Sequence, residues 1–205
     1  PYYAHSQITF TDATSSAGVG EFCFTDSVHS LGVNWIDYDN DGWADLFAGN
    51  GINLNAFLYQ NNRDGTFTNV SSLLPPLPNV ELAGSIFADY DNDGDSDIYI
   101  YTNADTFSVS GFNSPDGPAN LLLKNLWVEN GNRTIAGQPL FIEVAAQAGL
   151  QDLANPPLGP EPGHRAMSGG WLDYDRDGWV DLYVCHMVLN SGGDVSNRDR
   201  LYRNK

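Results

Sequence analysis

The sequence predicts an all-β fold built from repeated four-stranded antiparallel sheets. Three observations predict it. An acidic segment of one design occurs three times, each copy is flanked by short runs in which apolar and polar residues alternate, and the intervening segments are rich in Gly, Pro, Asn and Ser. Alternation with period two marks a half-buried strand, and a unit that recurs along a chain decides the architecture before any single element does.

The three copies are WIDYDNDGWADLF (35–47), FADYDNDGDSDIYI (87–100) and WLDYDRDGWVDLYV (171–184). Each has an aromatic residue two positions before the first Asp (Trp35, Phe87, Trp171), then D-x-D-x-D-G-x-x-D, then alternating apolar positions. The aromatics are expected to pack between sheets. After the first copy, LYQNNRDGTF (58–67) reads as a hairpin whose Asp64-Gly65 pair supplies the positive-φ positions of a tight turn. LYRNK (201–205) reads as the start of the same hairpin. A third recurring element, a short strand followed by a small-residue turn, appears as ITFTDATSSAGV (8–19), FTNVSSLLPPL (67–77) and FIEVAAQAGL (141–150). The unit therefore has one strand before the acidic loop, one after it, and two around the hairpin turn.

Four short strands per unit, with acidic loops starting at 37, 89 and 173, match the blades of a β-propeller. The longer second interval is accounted for by loop-like insertions at 107–120 and 129–139. No helix is expected. One propeller region is expected over 1–205, divided into the end of a preceding blade (1–22), a blade with the first acidic loop (23–77), a blade with the second loop and its insertions (78–150), and an incomplete blade with the third (151–205). About three blades leave a ring open, so a longer parent chain is expected to complete it, the alternatives being an assembly of copies or a small fold in which the first strand completes the last blade.

The bulk numbers narrow the function. With 41% apolar and 12% aromatic residues the chain can bury a core, and a formal charge of −17 with a pI near 4.1 repels nucleic acid and anionic membranes while attracting cations. No run of eighteen apolar residues is present, and PYYAHSQITF lacks the basic and apolar blocks of a signal peptide. Cys23 and Cys185 are too few for a disulfide framework and are read as small buried hydrophobes, a single bridge being the alternative. Asn69 and Asn132 each begin an N-x-S/T glycosylation triplet.

Crowded carboxylates need a counter-charge, and hard divalent ions take oxygen ligands, calcium six to eight of them. In D-x-D-x-D-G-x-x-D the side chains at positions 1, 3, 5 and 9 can converge on one ion with the carbonyl at position 7, and Gly at 6 allows the bend. The candidate ligands are Asp37, Asp39, Asp41 and Asp45 with the Trp43 carbonyl; Asp89, Asp91, Asp93 and Asp97 with the Asp95 carbonyl; and Asp173, Asp175, Asp177 and Asp181 with the Trp179 carbonyl. An EF-hand would need a bidentate Glu at position 12 between helices, whereas Ala48, Ile100 and Val184 stand there. An all-oxygen set argues for about three calcium ions rather than zinc or copper.

These stretches, with L-Y-x-N-N-x-D-G-T-F (58–67) and F-x-x-V-x-x-x-A-G-L (141–150), resemble FG-GAP/VCBS repeats, the calcium-binding propeller blades of integrin α subunits. The combined pattern is similar to the extracellular proteins of the cartilage acidic protein and ASPIC/UnbV type. The resemblance implies a propeller of six to eight blades with calcium in the hairpin loop between the first two strands of each. No ASPIC/UnbV C-terminal region is present, which fits an expectation of a longer parent chain.

The expected function is an extracellular, secreted or surface-exposed (periplasmic in a bacterium) calcium-stabilised module that binds a protein or a glycan, with structural ions. The long loops at the end opposite the acidic hairpins carry His29, Asn103, Asp105, His164 and Arg165, and this is the expected ligand face. No HExxH, GxSxG or phosphate-binding glycine loop is present. A lyase or dehydratase acting on sugars remains the enzymatic alternative, since propellers of this repeat type include such enzymes. A subunit of a larger assembly or fibre is the third reading, because an open ring exposes strand edges.

Overall fold

The computed structural model describes residues 9–20, 32–49, 56–78, 81–103, 119–151, 166–186 and 199–205. Eleven strands among them form three antiparallel sheets. The first is the meander β1 (Val33–Ile36), β2 (Asp45–Ala48), β3 (Phe57–Asn61) and β4 (Phe67–Asn69). The second repeats it with β5 (Glu81–Ala88), β6 (Asp97–Asn103), β7 (Leu121–Asn125) and β8 (Phe141–Glu143). The third contains β9 (Ala166–Leu172), β10 (Asp181–His186) and β11 (Arg200–Tyr202). Each acidic segment is the connection between the first two strands of its sheet.

The two central strands of the middle sheet are buried on both faces, and the unbroken apolar run of β6 shows why. Along β6, Ile98 and Ile100 enter one core with Leu121 and Leu123 of β7 and with Ile36, Phe47 and Leu58 of the first sheet. Tyr99, Tyr101 and Leu122 point the other way, into a core shared with Leu182 and Val184 of the third sheet. Successive strand residues face opposite sides, so a strand apolar at every position is buried twice. Two of the aromatics that precede the acidic loops do pack between sheets: Phe87 meets Phe47 edge-on at 5.9 Å, and Trp171 meets Tyr99 at 6.1 Å. Trp35 does not. It lies 6.0 Å from Phe67 of its own sheet and is 62% exposed, because no described sheet covers that face.

The first strands of the sheets approach closely. Asn34 of β1 donates to the Ser85 carbonyl of β5 at 2.6 Å and to its hydroxyl at 2.9 Å. A Cβ on Gly169 of β9 would sit 2.4 Å from the Tyr183 carbonyl oxygen and 3.0 Å from the Tyr101 hydroxyl. Neither the strand backbone nor the buried tyrosine can yield freely, so Gly169→Ala is expected to destabilise the chain by about 1–3 kcal/mol, the range of overpacking. A urea unfolding midpoint equal to that of the unsubstituted chain would contradict the close approach.

Three expectations are corrected. Residues 9–13, expected to hold a strand, form none, and Phe10 is 95% exposed: no described strand lies alongside to supply ladder hydrogen bonds. The small-residue segments contain one-turn helices, α1 (Thr14–Ala17) and α2 (Ala145–Ala148), and a 3-10 turn at Ser71–Leu73. Both helices end on a left-handed glycine, Gly18 (φ 76°) and Gly149 (φ 70°), and a single turn is too short to show helical periodicity. In the 62–66 turn the positive-φ residues are Arg63 and Gly65, not Asp64. Asp64 instead accepts from the Thr66 amide at 2.9 Å and hydroxyl at 2.6 Å, closing the turn with its side chain.

Candidate metal centres

The three acidic loops share one hydrogen-bond scheme. The first aspartate accepts two amides four and five residues ahead: Asp37 those of Asp41 and Gly42 (both 3.0 Å), Asp89 those of Asp93 and Gly94 (3.0 and 3.1 Å), and Asp173 those of Asp177 and Gly178 (3.1 and 3.0 Å). The fifth position accepts the amide two residues on, Asp41 from Trp43 at 2.8 Å, Asp93 from Asp95 at 3.2 Å and Asp177 from Trp179 at 3.0 Å. These bonds curl each loop inward and require left-handed backbone at position 4 (Asn40, Asn92, Arg176) and at the glycine of position 6.

The ninth aspartate is buried and ties the loop to its sheet. Asp45 accepts from the amides of Tyr38 (3.3 Å) and Asn61 (2.7 Å), Asp97 from those of Tyr90 (3.1 Å) and Asn125 (2.8 Å), and Asp181 from those of Tyr174 (3.1 Å) and Asn204 (2.9 Å). The asparagine at the end of the third strand, or just past it in the third sheet, is thus part of the centre. Its own carboxamide reaches the neighbouring sheet: Asn125 donates to the Tyr38 carbonyl at 2.8 Å and Asn204 to the Tyr90 carbonyl at 2.7 Å. Asn40 likewise donates to the Gly94 carbonyl and Asn92 to the Gly178 carbonyl, at 2.8 and 3.0 Å. The acidic loops are therefore joints between sheets as well as candidate ion sites.

The third aspartate is reached by a side chain from the third strand or just past it. The side chain one residue before each of those asparagines reaches it, Gln60 to Asp39 at 2.9 Å, Lys124 to Asp91, and Arg203 to Asp175 at 2.6 Å. Lys124 also pairs with Asp93 and Glu129, Arg203 with Asp177, and Arg63 with Asp41. Even so, Oδ1 of Asp39 and Oδ1 of Asp91 are buried without a hydrogen-bond donor. A buried carboxylate oxygen without a donor is costly, and a hard cation is the partner that the surrounding oxygens fit. Carboxylate oxygens of Asp37, Asp39 and Asp41, of Asp89, Asp91 and Asp97, and of Asp173, Asp175 and Asp181 lie within 4.8 Å of one another in each group.

The electrostatics agree. Burial, reinforced by its carboxylate neighbours, pushes Asp45 up to about 6 and Asp97 up to about 8, and burial raises Asp39 as well. The Arg63 hydrogen bond holds Asp41 below the ordinary carboxylate range. Burial works against the Lys124 ammonium, but its carboxylate partners outweigh it and raise its pKa. Each loop is held by its amide hydrogen bonds and by one basic side chain, Arg63, Lys124 or Arg203.

Residues 37–100, which hold the first two loops, match the FG-GAP-like repeat family. That stretch is similar to an FG-GAP-like repeat. Curated relatives include cartilage acidic protein 1 of Homo sapiens, 29% identical over 180 residues, and those of Xenopus tropicalis and Mus musculus, 27% and 28% identical. Each alignment covers 87% of this chain and 23% of the relative, so the chain spans about a quarter of their length. FG-GAP-like repeats form propeller blades, and the four-stranded sheets with an acidic first hairpin are such blades.

Sequence reasoning missed the residues that come from the third strand and beyond it: Gln60, Arg63, Lys124, Glu129 and Arg203, with Asn61, Asn125 and Asn204. The Asn recurring at the close of the third strand was the available signal. His29, Asp105, His164, Arg165 and Cys23 lie outside the described residues, as does the side chain of Asn103, which ends β6. Cys185 is half-buried in β10. Asn69 and Asn132 are both exposed. Among the described residues no helix is long and apolar enough to cross a membrane.

Proposed function

We propose that this chain is part of an extracellular calcium-binding β-propeller in which one ion per acidic hairpin, about three in all, serves structure, while the opposite end of the blades binds a protein or glycan. The buried, donor-free Oδ1 of Asp39 and of Asp91 is the observation that carries the calcium reading. The first, third, fifth and ninth aspartates of each loop would supply side-chain oxygens, with the carbonyls of Trp43, Asp95 and Trp179. An ion there offsets the charge that Arg63, Lys124 and Arg203 leave unbalanced. It also stiffens the joints that Asn40, Asn92, Asn125 and Asn204 make between blades.

Likeness to cartilage acidic protein 1 supports placement outside the cell, where calcium is abundant enough to fill sites of about 10⁻⁴–10⁻³ M affinity. Exposed Asn69 and Asn132 suit glycosylation there. The ligand face is assigned to the long connections bearing His29, Asn103, Asp105, His164 and Arg165, since loops on a rigid scaffold carry recognition. Titration calorimetry with calcium, repeated with magnesium, tests the metal assignment: calcium is expected to bind in that affinity range and magnesium at least tenfold more weakly. Absence of calcium binding up to about 10 mM, well above that range, would overturn it. Binding of the immobilised chain to matrix proteins and glycans should then be lost in EDTA.

A further inference from the structure

The second acidic hairpin differs from the other two. At its seventh position it has Asp95, where the first loop has the exposed Trp43 and the third the half-buried Trp179. Asp95 is 1% exposed. Its Oδ2 accepts the Val128 amide at 2.9 Å, and its Oδ1 is buried with no hydrogen-bond partner. The turn after β7, closed by bonds from Asn130 N–H to the Leu126 carbonyl and from Gly131 N–H to the Val128 carbonyl, each 2.9 Å, is tied to the loop by that Val128 amide. That turn brings in Glu129. Carboxylate oxygens of Asp93, Asp95 and Glu129 lie within 4.8 Å of one another, a group separate from Asp89, Asp91 and Asp97.

The charge balance makes the same distinction. In the first and third loops four carboxylates face one guanidinium, that of Arg63 or Arg203. The second gathers Asp89, Asp91, Asp93, Asp95, Asp97 and Glu129 around the single ammonium of Lys124. Counting the basic group that touches each loop, one divalent ion leaves the outer loops with a single net negative charge. The second loop needs two ions to reach the same value. A tethered ammonium cannot supply that charge, nor is it within hydrogen-bond reach of Asp95.

We infer that the second hairpin binds two divalent cations, the additional one held by Asp93, Asp95 and Glu129, a hard-oxygen set suited to calcium. The inference rests on the calcium reading above. Asp93 would be shared between the two ions, so the pair forms a bridged centre on this blade and not on its neighbours. The insertion after β7 is what creates it, by placing Glu129 beside a loop whose seventh residue is acidic.

Native mass spectrometry of the whole chain in millimolar calcium tests this by counting retained ions. Glu129→Gln, at a half-exposed side chain, and Asp95→Asn, which keeps an acceptor for the Val128 amide, are each expected to retain one ion fewer than the unsubstituted chain. Glu143→Gln, on an exposed residue of β8 away from the centre, is expected to retain the full number. Equal counts in the unsubstituted chain and in both Glu129→Gln and Asp95→Asn would overturn the second site while leaving one ion per hairpin intact. No retained ions in any variant would overturn the calcium reading and this inference together. Loss of all ions from Asp95→Asn alone would show a folding defect, and Glu129→Gln then decides the matter.

Discussion

Stripped of divalent ions, the chain should melt at a temperature that falls, by about 10 °C, as the pH is raised from 5 to 8. Burial lifts Asp97 to about 8 and Asp45 and Asp95 to about 6 in the fold, above the values these groups have in an unfolded chain. A carboxyl with a raised folded pKa holds its proton more tightly in the native state. Its contribution to stability is therefore complete below the unfolded value and lost as the pH rises through 6 for Asp45 and Asp95, then through 8 for Asp97. Groups with lowered values, Asp41 among them, act in the opposite direction but at more acidic pH, outside this window. A few kcal/mol corresponds to about 10 °C for a chain of this size.

Calcium should reverse the trend, because an ion in the loop takes the place of the protons and binds the ionised form. At pH 8 the calcium-loaded chain is expected to melt well above the chelated one, and at pH 5 the gap should narrow as protons compete for the same oxygens. Differential scanning fluorimetry in EGTA and in millimolar calcium, at both pH values, gives all four melting temperatures. Identical melts with and without calcium at pH 8 would remove the ion from the account of stability. A chelated melt that rose with pH would show that the burial of Asp97 does not govern its protonation.

The second large effect is expected from Asp97→Ala. Both oxygens of this buried carboxylate are spent on backbone amides, Tyr90 on its own loop and Asn125 on the third strand. Removing them leaves two buried N–H groups without an acceptor, at about 1–3 kcal/mol each. The variant should lose about 2–6 kcal/mol on that account and bind calcium more weakly. Because Asn125 also donates to the Tyr38 carbonyl of the first sheet, loosening it should weaken the joint between the first two blades. Asp97→Asn, which keeps one acceptor, should lose less. Urea unfolding in EGTA isolates the amide contribution from the ion, and an Asp97→Ala midpoint matching that of the unsubstituted chain would contradict the assignment.

The acidic hairpins were legible in the sequence because their defining bonds are local. Asp37 reaches amides only four and five residues ahead, Asp41 only two, and the glycine between them marks the bend. The strands were legible for a related reason: the alternating burial of 45–48 and the unbroken apolar run of 98–101 each follow from side chains facing opposite sides in turn, and the repetition of the unit indicated the order of strands in each sheet. One-turn helices such as Ala145–Ala148 were not, since four small residues show no period, and neither was the exposure of Trp35, which depends on what covers its sheet.

By itself the sequence determined the all-β repeat, the three carboxylate loops and the need for a counter-charge in each. Only the tertiary structure decided which counter-charge each loop meets. Lys124 stands 33 residues from Asp91, and Arg203 and Arg63 are comparably remote from Asp177 and Asp41, so no local pattern connects them. The fate of Asp95 was likewise settled by packing: position 7 alone predicts a carbonyl ligand, whereas the turn around Val128 captures one side-chain oxygen and leaves the other buried without a donor. Short-range hydrogen bonds are written into adjacent residues, but the electrostatic environment of a carboxylate is the sum over every charge the fold brings near it.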